Sequence, residues 1–236
     1  MERTTLETAW IGTVEYEQAL KLQDAMVAAR GAGLIRDTLL LLEHPHVYTL
    51  GRGASERYLV APPPGVPIHR VSRGGQVTYH GPGQVVGYPI LKLEGADCDV
   101  HAYLRALESV IIETLRIYGI DARRREKLTG VWVGECKIAS IGVGIRRWIT
   151  LHGFALNVSS DLRYFERIVP CGIEGCRMTS IAREGGSDVA IADVVASLAD
   201  SFAAVFGYEP VTAADRAELW RLVNPPAGFE FEADCG

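Results

Sequence analysis

The chain has 236 residues, of which 48% are hydrophobic and 22% charged. That is a globular composition, and it is long enough to bury a sizeable core. With 24 Lys and Arg against 29 Asp and Glu the formal charge is −5, which argues against a nucleic-acid binder or a protein held on an anionic membrane. No stretch approaches the ~20 apolar residues of a membrane span, and Met1 to Glu7 lacks the apolar core of a signal peptide, so a cytoplasmic protein is expected.

The first predicted element is a helix over 16–30, free of Pro and Gly and stopped by Gly31. Thr38 to Leu42 and Val47 to Leu50 read as short buried strands, and Pro62 to Gly65 as a surface loop. Strands follow near 68–71, 76–80 and 84–93. Asp99 can cap a helix in which Val100, Tyr103, Leu104, Leu107, Ile111, Leu115 and Tyr118 recur at helical spacing, ended by Gly119. Strands are predicted at 131–133, 137–145 and 150–158, then a helix over 189–206 with Gly207 beyond it. Thr212 is read as the cap of a last helix through Leu222, stopped by Pro225 and Pro226. There is no repeat and no dividing linker. Elements in this order give an α+β fold, a single domain over 1–236 with mixed β-sheets flanked by helices.

The five cysteines, Cys98, Cys136, Cys171, Cys176 and Cys235, are odd in number and scattered. They read as thiols rather than a disulfide framework. His44, His46 and the Cys98–His101 pair have no second paired motif to complete a metal site, so no metal is expected.

Three segments look unlike scaffold. In Arg73-Gly74-Gly75-Gln76-Val77-Thr78-Tyr79-His80-Gly81-Pro82-Gly83-Gln84, polar side chains crowd between two glycine turns. The motif is either a plain hairpin or a place where backbone approaches a ligand. In the second, Lys137 leads the apolar strand Ile138 to Val143. Read alone, a lysine there is a solvated edge residue; with a buried stem its proton affinity would fall and it could exchange protons near neutral pH. The third, Ile168-Val169-Pro170-Cys171-Gly172-Ile173, holds either an inert buried thiol or a nucleophile presented between Pro and Gly.

Together RGGQVTYHGPGQ, KIASIGVGIRRWITLHGFALNV and PCGI, with EHPHVYTLGRG upstream, resemble the lipoyl(octanoyl) transferases of the lipoate/biotin protein ligase-like superfamily, over about residues 40–182. The resemblance implies that fold, and transfer of an octanoyl group from octanoyl-acyl carrier protein to a lysine of lipoyl domains. The acceptors it implies are 2-oxoacid dehydrogenase complexes and the glycine cleavage H protein. It makes Cys171 the nucleophile and Lys137 its acid/base partner. It puts the ligand pocket on Arg73, Gly74, Gly75, Gln76, Val77, Thr78, Tyr79 and His80, on Ser140, Ile141 and Gly142, and on Gly153, Phe154 and Ala155. No cofactor is expected, because thioester exchange needs no nucleotide.

The Gly172 N–H is the expected oxyanion donor, and 123–127 with Arg146 and Arg147 the expected docking surface for acidic partners. Three alternatives remain: an ATP-dependent lipoate–protein ligase, a non-catalytic acyl or lipoyl-domain binder, and a cysteine hydrolase using His80 or His152 as base with Asp161 orienting it.

Overall fold

A computed structural model describes residues 5–185, 189–209 and 211–223. The chain begins with Leu6–Thr13 (β1), the helix Tyr16–Gly31 (α1), Thr38–Glu43 (β2) and Val47–Leu50 (β3). Ile68–Arg70 (β4), Val77–His80 (β5) and Gln84–Ile90 (β6) precede the helix Val100–Ile117 (α2). Four strands follow: Ala122–Arg125 (β7), Leu128–Val133 (β8), Cys136–Arg146 (β9) and Ile149–Asn157 (β10). Two 3₁₀ segments, Leu162–Arg167 and Pro170–Gly172, lead to Arg177–Met178 (β11) and the short helix Ile181–Gly185 (α3). Ile191–Phe206 (α4), Val211–Ala213 (β12) and Arg216–Arg221 (α5) complete the described chain.

The larger sheet is mixed, in the order β12-β1-β2-β6-β10-β9-β8-β7, with β11 paired to β9. The smaller has the order β4-β3-β5. The α+β architecture expected from the element order is the one found.

Successive side chains of a strand point to opposite faces, and β2 shows what this does here. Leu39 and Leu41 pack with Leu107, Ile111 and Leu115 of α2 and Leu198 and Phe202 of α4. Leu40 and Leu42 pack with Leu22 and Met26 of α1. Both faces of β2 are covered, so its sequence runs apolar without alternation. Asp99 caps α2 as expected, accepting from the N–H groups of His101 and Ala102 at 2.8 and 3.1 Å.

The chain run differs from expectation at several points. Thr212 caps nothing: it lies in β12, paired parallel to β1, and Asp215 caps the last helix instead, accepting from Ala217 and Glu218. β1 and β7 are strands the sequence did not signal. Pro225, Pro226 and Cys235 lie outside the described residues, while Cys98, Cys136, Cys171 and Cys176 are free thiols.

Candidate active site

A cavity of about 230 Å³ opens between the loop before β5, the middle of β9 and β10, and the turn at Cys171. Its walls follow from strand alternation. Thr78 and His80 of β5 line it, whereas Val77 and Tyr79 point into a separate core with Tyr48 and Phe165. Val77 and Tyr79, grouped with the pocket in the sequence reading, therefore belong to the opposite face, where the Tyr79 hydroxyl meets His46 Nδ1 at 2.7 Å. Gly74 is not in the lining either; its N–H donates to the Val143 carbonyl at 2.9 Å and ties the loop to β9. Arg73, Gly75 and Gln76 do line the cavity. So do Ser140, Ile141 and Gly142 of β9 and Gly153, Phe154 and Ala155 of β10. Gly142 and Gly153 face each other across the ladder.

Cys171 sits at a left-handed turn, with φ 56° and ψ 15°, a conformation costly for a residue with a Cβ. The turn is held by Gly172 N–H donating to Val169 O and Ile173 N–H to Pro170 O, each at 3.0 Å. The Gly172 N–H is thus spent on the turn, which corrects its expected part as oxyanion donor. Half-buried Cys171 faces the cavity.

Lys137 is not an edge residue. β9 is flanked by β8 and β10 and also carries β11, whose Met178 pairs with Lys137 itself, so its side chain is 1% exposed. Its Nζ donates to the Thr129 carbonyl at 3.0 Å and lies 3.1 Å from Cys171 Sγ. The Ser140 hydroxyl is 3.8 Å from the same sulfur. Burial alone would push the Cys171 thiol up; the charge and hydrogen bond of Lys137, the Ser140 hydroxyl and the Arg73 charge overrule it and leave the thiol below its ordinary range.

The rings named as possible bases also line the cavity, but each has its hydrogen bond with another partner. His80 Nδ1 faces Gln84 Oε1 at 2.7 Å, and His152 Nε2 faces the Ser72 hydroxyl at 3.0 Å. Asp161 is bound to Arg163 at 2.7 Å. Burial drives both imidazoles toward the neutral form, His152 down to about 4 and His80 well below its ordinary value. Among the described residues no group of three His, Cys, Asp or Glu side chains could hold a metal ion.

The cavity also uses residues the sequence reading passed over. Tyr16 at the start of α1, Val86 and Tyr88 of β6, and Lys127, Leu128 and Thr129 of the β7–β8 hairpin line it. The expected docking cations are largely neutralised within the chain. Arg123 and Arg125 face Glu135 at 3.7 and 2.6 Å, Arg124 faces Glu108 at 3.0 Å, and Arg146 faces Asp24 at 3.2 Å.

The fold as a whole has counterparts among solved structures. A lipoate–protein ligase A bound with ATP matches with TM-score 0.70 at 18% identity, over 97% of each chain. A bipartite lipoate protein ligase from Thermoplasma acidophilum matches with TM-score 0.69 at 20% identity, over 95% of this chain and 91% of that one. The fold is thus that of the lipoate–protein ligases, here with a thiol set against a buried amine in the wall of a slot. The family described as lipoyl protein ligase A/B catalytic domain matches residues 15–203. The octanoyltransferase of Solibacter usitatus is 50% identical over 212 residues, 88% of this chain and 96% of that protein. That of Geobacter sulfurreducens is 49% identical over 193 residues, 82% and 81%. The chain belongs to the octanoyltransferases of the lipoyl protein ligase A/B family.

Proposed function

We propose that the chain is an acyltransferase that moves an octanoyl group from octanoyl-acyl carrier protein to a lysine of lipoyl domains, through a thioester on Cys171 with Lys137 as acid/base. Those domains are carried by 2-oxoacid dehydrogenase complexes and the glycine cleavage H protein. The whole chain acts as one catalytic domain, in the cytoplasm and without a cofactor. The observation that carries this reading is the 3.1 Å contact between Lys137 Nζ and Cys171 Sγ in the cavity wall.

The pair shares one proton, held as thiolate and ammonium. The thiolate attacks the thioester carbonyl of the donor; the bond to the pantetheine sulfur breaks, and the Lys137 ammonium gives its proton to that sulfur. Cys171 is now an octanoyl thioester and Lys137 a neutral amine. The acceptor lysine attacks the same carbonyl, Cys171 leaves as thiolate, and Lys137 takes the proton the attacking nitrogen sheds. The starting state is restored. Thioester-to-amide transfer runs downhill, so no nucleotide enters.

Val86, Ile141, Phe154 and Ala155 give the cavity apolar walls, which suit a medium acyl chain. Burying seven CH₂ and CH₃ groups at ~0.8 kcal/mol each supplies roughly 5–6 kcal/mol of gross affinity.

Intact-protein mass spectrometry after mixing with octanoyl-carrier protein tests the reading. One octanoyl adduct is expected on Cys171, absent in Cys171→Ala and slow to form in Lys137→Ala. Adduct formation at the normal rate in Lys137→Ala removes the proton-transfer role. Activity on free acid plus ATP that survives Cys171→Ser makes the protein a ligase instead.

A further inference from the structure

Arg73 is 7% exposed, yet no carboxylate among the described residues lies within ion-pair distance of it. Its Nη2 donates to the Thr49 carbonyl and hydroxyl, both at 2.8 Å, and its Nη1 to the Gly74 carbonyl at 3.0 Å. All three acceptors are neutral, and Nε has no partner. The side chain packs closely on backbone: a Cβ on Gly142 would stand 3.1 Å from the Gly74 carbonyl oxygen and 3.2 Å from Arg73 Cδ, and one on Gly51 would overlap the Gly75 carbonyl and stand 3.1 Å from Nη1. A buried cation without a counter-ion is expensive unless something nearby carries negative charge.

Both Arg73 and Cys171 line the cavity. The other titratable groups around the guanidinium cannot supply the anion. Tyr16 and Tyr88 are held protonated by burial, and His80 and His152 are held neutral. Lys127 stands at the mouth, in solvent. The Cys171 sulfur remains.

We propose that Arg73 is the fixed charge that sets the protonation of the thiol–amine pair, as a positioning residue acting through Cys171 and Lys137. The proposal rests on the acyl-enzyme reading above. Before acylation the thiolate has the Lys137 amine 3.1 Å away and the Arg73 guanidinium in the wall of the same cavity, and it is favoured. Acylation removes the anion, because the sulfur becomes a neutral thioester. Lys137 and Arg73 would then be two buried like charges in one site, and only the lysine can shed its proton. The proton goes to the departing pantetheine sulfur, and Lys137 stays neutral as the base for the acceptor amine. Arg73 thereby makes the same lysine an acid in the first half-reaction and a base in the second.

The test is the pH profile of Cys171 alkylation by iodoacetamide, followed on the Cys171 peptide by mass spectrometry. Arg73→Gln should raise the midpoint by about one pH unit, slowing alkylation about tenfold at neutral pH, and Arg73→Lys should restore most of it. An unchanged midpoint in folded Arg73→Gln overturns the proposal.

If Arg73→Gln does not fold, Arg73→Met, a neutral chain of similar length, takes its place in the same assay: a midpoint raised by about one pH unit supports the proposal and an unchanged one overturns it. Alkylation uses no acyl donor, so the proposal fails independently of the acyl-enzyme reading, which is scored by the octanoyl adduct.

Discussion

At the scale of single residues, the proposed mechanism asks Lys137 to do two things that other side chains separate. It must carry charge beside Cys171 Sγ, 3.1 Å away, and it must give that charge up. Arginine does the first and not the second, since guanidinium does not deprotonate in proteins. Lys137→Arg should therefore keep Cys171 reactive toward iodoacetamide at neutral pH while losing at least about 100-fold in octanoyl transfer, the usual worth of a positioned acid/base. Single-turnover kinetics on the lipoyl domain beside an alkylation assay would show the split; transfer within a few-fold of wild type would contradict it. The pair was legible only as two separate motifs. Nothing in the sequence shows that β11 and β8 cover the start of β9, so a strand-leading lysine reads as solvated. Tyr16 and Tyr88 were missed for the converse reason: an aromatic at a helix start or in a fully apolar strand reads as core, and both are buried, though they also line the cavity.

At the scale of elements, the lysine is held by an irregularity in its neighbour. The pairing of β8 with β9 slips between Val131 and Trp132, and Gly130 beside it has φ +125°. A Cβ at Gly130 would come 2.5 Å from Lys137 Cε and 2.7 Å from the Ala139 carbonyl, so only glycine leaves room for the lysine stem. The Gly130 N–H is fixed at 3.0 Å by Glu108 of α2, fully buried and bound also to Arg105 and Arg124 at 2.6 and 3.0 Å. Arg124, which reads in the sequence as part of a docking surface, thus braces the hairpin under the Lys137 amine. Gly130→Ala should displace Lys137 Nζ and slow Cys171 acylation about 100-fold, the usual effect of a misplaced group. Ligand affinity should change far less, because the cavity walls are untouched. Stopped-flow acylation together with a fatty-acid binding titration would measure both, and acylation at the wild-type rate would contradict the brace. Such support is invisible in sequence because β7 is Ala-Arg-Arg-Arg, without an apolar face to announce a strand. β1 escaped for a related reason: its Thr, Glu and Gly residues dilute the apolar positions that Leu6 and Ile11 bury.

At the scale of the whole molecule, the site is embedded in imidazoles that the fold keeps neutral. His44 Nδ1 donates to the Val14 carbonyl at 2.7 Å, so Nε2 accepts from the Tyr88 hydroxyl, also at 2.7 Å. Burial outweighs that carbonyl and brings His44 down to about 4. His152 falls to about 4 through burial and then the Arg73 and Arg146 charges, and burial lowers His80 well below its ordinary value. His152 has a strained φ of 56°, and its N–H is gripped by Gln23 of α1 at 2.7 Å, so the ring cannot easily swing out to be hydrated. In the unfolded chain each imidazole takes a proton near pH 6.5; in the folded chain His44 and His152 resist until about 4. The unfolded state therefore binds more protons as pH falls between these values, and the stability present above pH 6.5 is lost on the way down to about pH 4. At pH 5, His44 and His152 each account for a loss of up to ~2 kcal/mol. Urea unfolding at pH 7.5 and pH 5, with an unchanged m value, should show that loss. Asp161, held near 2 by Arg163, titrates below the window and does not confuse it. His152→Asn tolerates the left-handed backbone and removes one titrating ring, so its pH dependence should be shallower by about one histidine's share. A wild-type stability that stays level from pH 7.5 to pH 5 would mean that these rings are already hydrated in the native state, and that the inner wall of the slot is open to water.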